Sequence, residues 1–142
     1  MSQRLNNLNN IVSNLWGGAE IYRKAARATE KPQHEEVFLR HAVLREETAR
    51  ELSRLIDEAG GQPATAAASE KAYGLLTQLG TLFNDTDDAL IRGLEEHEDR
   101  TLSVFREAVN HPDNHRDEDM LRAMMEQFEQ SHAKMREWKI AS

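Results

Sequence analysis

The run Glu129-Gln-Ser-His132 sets a carboxylate and an imidazole three residues apart in a segment of helical periodicity. At that spacing both side chains leave the same helix face and can reach one cation. A di-metal centre inside a helix bundle uses two such Glu-x-x-His pairs and one further glutamate from each of two other helices. Glu20, Glu98, Glu129 and His132 fit that pattern, so the candidate metal ligands are three glutamates and one histidine. Where the second pair belongs, the chain reads Arg45-Glu-Glu-Thr48. Counted from the turns at Pro32 and Pro112, Glu20, Arg45, Glu98 and Glu129 lie about 11 to 17 residues away, which at 1.5 Å per residue allows one shared layer.

An arginine at that register has a physical logic. Carboxylates converging on a core repel by about 4 kcal/mol per close pair at an intermediate effective dielectric, so a positive charge must sit among them. Metal ions supply it in di-metal bundles. Arg45 can supply it instead, with a planar fork that matches carboxylates and a charge it does not lose. The expectation is a degenerate site, in which an internal ion-pair cluster of Arg45, His41, Thr48 and His97 replaces some or all of the metal. Plain structural alternatives stand beside it. Glu20 can pair with Lys24 one turn later, and Glu98 lies in the acidic run Glu95-Glu-His-Glu-Asp99, of a kind that usually forms a wet face. His41 and His97 can be ordinary hydrogen-bonded core residues.

The elements that must position these groups are legible from proline and periodicity. Pro32, Pro63 and Pro112 cut the chain into four pieces, of which the third is much the longest. Leu5, Leu8, Val12, Leu15, Ala19, Tyr22 and Ala26 form the seam of a first helix. Phe38, His41, Arg45, Thr48, Leu52, Leu55 and Ala59 form the second, interrupted by three polar residues and stopped by Gly60-Gly61. A short helix is expected in the crossover, through Tyr73, Leu76, Leu79 and Phe83. Asp85-Thr-Asp-Asp88 starts a third long helix that carries Leu90, Leu94, His97, Thr101, Val104 and Ala108 to about Val109. The last helix opens on Asp117-Glu-Asp119 and carries Leu121, Met124, Phe128, Ser131, Met135 and Trp138. Mid-helix Gly17-Gly18 implies a close helix approach or a local bulge near Glu20. The sum is one all-α domain over residues 1–142, a ferritin-like four-helix bundle with a long crossover between helices two and three.

Composition narrows the function classes. The chain has 142 residues and no cysteine, which removes thiolate chemistry and disulfide scaffolding. A net charge of −7 argues against a grip on nucleic-acid phosphates or an anionic membrane. The amino terminus lacks a signal-peptide layout, and no apolar run nears a membrane span, so a cytoplasmic location is expected. Phosphate-binding, nucleophile-elbow and dinucleotide motifs do not occur.

The sequence resembles an uncharacterised bacterial family of ferritin-like four-helix bundles, a domain of unknown function. The resemblance rests on Leu5-Asn-Asn-Leu8, Gly18-Ala-Glu-Ile-Tyr22 with Ala25-Ala26, the stretch from Phe38 through Glu51-Leu52 to Gly60-Gly-Gln-Pro63, Gly93 to Glu98-Asp99, Phe105-Arg-Glu-Ala108 and His132. It implies a small cytoplasmic bacterial protein associated with stress responses and without an assigned reaction. More distantly the chain is similar to rubrerythrin and ferritin, which oxidise ferrous iron; Arg45 and Thr48 depart from their ligand pattern. The leading expectation is a binding or structural protein that is not an enzyme, or keeps at most a residual metal site. The alternative is an iron, manganese or zinc protein, or a ferroxidase-like oxidase, using Glu20, Glu98, Glu129 and His132, with His41 or His97 completing the shell. A third is a homo-oligomer or partner-binding module docking through the Met- and Trp-bearing last helix.

Overall fold

In the computed structural model of the chain, residues 1–67 and 87–141 are described, with side chains for residues 1–67 and 91–133. The short crossover helix lies outside the described residues, as do the side chains of Leu90, Met135 and Trp138. Within them the structure is all-helical and holds four long helices: α1 (Gln3–Ala28), α2 (Pro32–Glu58), α3 (Asp87–Val109) and α4 (Glu118–Ala141). A 3-10 turn, Pro112–Asp117, joins the last two.

Local chemistry sets the boundaries. Ser2 caps α1 by accepting the Leu5 amide at 3.2 Å. Pro32 stands in the first turn of α2, where its missing N–H costs nothing. At the other end Gly60 turns left-handed at φ 84°. The Gly60 amide then donates to the Asp57 carbonyl at 3.0 Å and the Gly61 amide to Ile56 at 2.9 Å, a Schellman closure. At Gly61 the chain runs close to the core, and a Cβ there would lie 2.9 Å from Ile56, Leu5 and Met1 side-chain atoms, which would have to shift. Asp117 does not open α4 as the sequence suggests. It ends the 3-10 turn with its side chain turned inward to Arg4, and the acids of the first α4 turn are Glu118 and Asp119.

Contacts along the chain give the helix directions. Arg23 on α1 grips Glu46 on α2 at 2.5 Å, while Asn9 reaches the Gln62 carbonyl at 2.9 Å, so the two helices are antiparallel. Tyr22 meets Glu98, Asn14 meets Thr101 and Arg4 meets Asp117, so α3 is antiparallel to α1 and parallel to α2. Phe105 and Phe128 stack at 5.4 Å between α3 and the returning α4.

The apolar core forms two clusters. One gathers Leu5, Leu8, Leu15, Leu52, Phe105 and Phe128; the other gathers Ile21, Tyr22, Phe38, Ala42, Ile91 and Leu94. Every α1 seam residue named from the sequence is buried. On α2, Leu55 is half-buried and Ala59 exposed, because the buried seam passes from Leu52 to Ile56 and the helix ends at Glu58. Between the clusters lies a polar layer, and Arg45 is the largest fully buried side chain in it.

Candidate functional site

The polar layer is built around one carboxylate oxygen. Glu98 Oε1 accepts from Arg45 Nη2 at 2.6 Å, from Ser131 Oγ at 2.8 Å and from the Tyr22 hydroxyl. Both Arg45 and Glu98 side chains are 0% exposed. Arg45 also donates through Nη1 to the His41 carbonyl at 3.1 Å, and its guanidinium carbon sits 4.4 Å above the Tyr22 ring and 5.0 Å above Phe128. A planar cation between two ring faces, with a carboxylate at its edge, uses the features that separate arginine from lysine. Arg45 Nε and Glu98 Oε2 are buried without a hydrogen-bond partner among the described residues.

His41 closes the network from α2. Its ring nitrogens lie 3.1 and 3.3 Å from Ser131 Oγ, and its ring packs edge-on against Tyr22 at 4.9 Å. With the Ser131 proton on Glu98, the imidazole N–H donates to the Ser131 oxygen. On the far side of the ion pair, Thr101 donates to Asn14 Oδ1 at 2.7 Å and lies 3.4 Å from His97 Nδ1.

The electrostatics follow from burial and from the arginine. Burial and the neighbouring Arg45 charge push His41 down to about 4 and His97 to about 3, against a weaker upward pull from Glu98. Both rings are therefore neutral at pH 7. Burial alone raises the Glu98 pKa, but the Arg45 charge and the Tyr22 and Ser131 hydrogen bonds outweigh it and hold the carboxyl below its ordinary value. Burial and the Glu98 charge raise Tyr22 well above an ordinary phenol, so it remains a donor.

Gly18 makes the layer possible. A Cβ on Gly18 would fall 2.6 Å from the His97 ring and 3.1 Å from Arg45 Cδ and Nε. The glycine is thus a close approach inside a continuous helix, one of the two readings its sequence position allows.

Several sequence-predicted residues sit elsewhere. Glu129 is exposed on α4 and does not join Glu98. The inward α4 positions are Leu121, Met124, Phe128 and Ser131, and the residue after Phe128 is turned about 100° away. Glu129-Gln-Ser-His132 therefore forms no ligand pair. Glu20 is half-buried beside Lys24 at 4.0 Å and Arg27 at 3.7 Å, in a rim ion pair. Thr48 is buried but donates to the Leu44 carbonyl of its own helix at 2.8 Å and takes no part in the cluster. His97 borders Arg45 across Gly18 without bonding to the ion pair. His132 is 8% exposed and contacts Asp99 at 3.2 Å, where Glu95, Asp99 and His132 bring ligand atoms within 4.8 Å of one another.

Sequence reasoning misses Tyr22, Asn14 and Ser131 in the layer and Glu95 and Asp99 on its flank. Tyr22 and Ser131 lie on helix seams, where periodicity alone reads packing and a polar atom at a seam position is the available signal. Asp99 was read with its acidic run; its i, i+4 spacing from Glu95 is the mark of a shared face.

The Arg45–Glu98 layer does not fit a di-metal centre. Glu98 is the one proposed ligand at its heart, its Oε1 already takes three donors, and a cation occupies the facing position. No helix among the described residues is long and apolar enough to cross a membrane. Residues 3–111 match the model of a family described as a domain of unknown function, DUF2383. No curated protein and no solved structure is significantly similar.

Proposed function

The chain belongs to the DUF2383 family of unknown function, and from that premise we propose a non-catalytic ferritin-like four-helix scaffold, acting as a structural or binding protein. The observation that carries this reading is the Arg45–Glu98 pair, 2.6 Å apart and 0% exposed on both sides. Arg45 stands at the sequence register where a di-metal bundle would carry its second Glu-x-x-His pair. There the fixed guanidinium supplies the positive charge, and the rings of Tyr22 and Phe128 cover it. The parallel α2 and α3 support the ferritin-like arrangement. The bacterial cytoplasmic location and the association with stress rest on the sequence resemblance.

Oxygen-dependent oxidation of ferrous iron by the purified full chain tests this reading. A rate equal to that of buffer, in wild type and in Glu98→Gln alike, is the expected result. A wild-type rate well above buffer that is lost in a folded Glu98→Gln variant would sink it.

A further inference from the structure

We propose that Glu95, Asp99 and His132 form a divalent transition-metal site on the outer α3–α4 face, separate from the Arg45 layer. Glu95 and Asp99 stand one turn apart on α3, and His132 reaches them from α4; the three ligand atoms lie within 4.8 Å of one another. His132 Nε2 is already 3.2 Å from Asp99 Oδ1. Three donors at bond lengths of about 2.0–2.2 Å around a tetrahedral ion are about 3.4 Å apart, so closure needs only side-chain rotation of roughly an ångström.

The donor set is mixed, and that distinguishes it from a patch of surface acids. An imidazole nitrogen with two carboxylate oxygens suits Zn²⁺ and its first-row neighbours better than Mg²⁺ or Ca²⁺, which favour all-oxygen shells. The imidazole is held in place, since the His132 side chain is 10% exposed, whereas Asp99 at 64% leaves room for water in the remaining coordination positions. Glu96 adds a further exposed acid to the same run, while the Glu98 charge is taken up internally by Arg45. The site shares only His132 with the ligand set suggested by Glu-x-x-His spacing, and it needs neither Glu129 nor a metal in the core.

Calorimetric titration of the full chain with Zn²⁺, after chelator treatment and dialysis, tests the site. The expected result is saturable binding of one ion per chain, weakened at least about tenfold in Asp99→Asn and in His132→Gln, both checked for helicity. Glu129→Ala and Glu98→Gln should bind as wild type does. Absence of saturable binding, or unchanged binding in folded Asp99→Asn, would overturn the proposal. So would a loss in Glu129→Ala equal to that in Asp99→Asn. A loss confined to Glu98→Gln would overturn it too, and would count against the scaffold reading by placing the ion in the core.

Discussion

Glu98 Oε1 and Arg45 Nη2 meet 2.6 Å apart in the middle of the bundle, and neither side chain reaches solvent. A buried pair of this kind adds little stability against an apolar replacement of the same shape, but losing one partner strands the other charge. The consequences concern the donors around the pair, the glycine that admits it and the histidines beside it.

Tyr22→Phe removes a donor to Glu98 while keeping the ring beneath the guanidinium. Hydrogen bonds to charged groups are worth about 1.5–3 kcal/mol, and chemical denaturation should show a loss of that size. Tyr22→Leu should lose more, because the ring face over Arg45 goes with the hydroxyl. Equal losses in the two variants would argue against the stacking contribution.

Gly18→Ala should destabilise even though alanine favours helix by about 1 kcal/mol. The new methyl meets the His97 ring at 2.6 Å and Arg45 at 3.1 Å, and overpacking of this kind costs about 1–3 kcal/mol. The double variant Gly18→Ala/His97→Ala should recover part of the loss in thermal melts. A stabilised single variant would show that the helices can separate freely at this level.

Stability should fall as pH drops below about 6.5. His41 and His97 titrate near 4 and 3 in the folded chain, against an ordinary value of 6.5. The unfolded chain therefore takes up protons first, and the neutral-ring contribution, full above pH 6.5, is lost progressively on the way down. Each pKa unit of depression is worth about 1.4 kcal/mol. Glu98 and Asp117, both held below their ordinary values, extend the loss to lower pH. Melting temperatures from pH 8 to 4 follow this, and His41→Gln should flatten the slope between pH 6.5 and 4.

At the opposite end, Asp117 takes two bonds from the Arg4 guanidinium at 2.8 and 2.9 Å and one from Asn114 at 3.0 Å. Asn114 in turn accepts from Asn7 at 2.7 Å, so the start of α1 is tied to the 3-10 turn. Asp117→Ala should lose about 2 kcal/mol. Amide exchange should speed up first in the opening turns of α1.

Helix periodicity locates the α1 seam and Arg45 on the α2 seam, because burial in a bundle repeats at helical spacing, and Gly60-Gly61 marks the stop of α2. Which seam atoms bond across helices depends on rotation that periodicity does not resolve. Glu129 and His132 share a face on paper, yet α4 is rotated so that Ser131 points at Glu98 and His132 sits at its edge. Tyr22 carried its hydroxyl unnoticed because its ring satisfied the apolar pattern. Asp117 looked like a helix-opening acid, since the approach of Arg4 is a contact across 113 residues.

The most direct measurement is a double-mutant cycle on Arg45→Met and Glu98→Gln by equilibrium denaturation, run with and without chelator. Direct pairing of the two groups should give a coupling of about 2 kcal/mol or more, unchanged by chelator even if bound metal shifts overall stability. Additive single effects, or a coupling that disappears when metal is removed, would contradict a core held by Arg45.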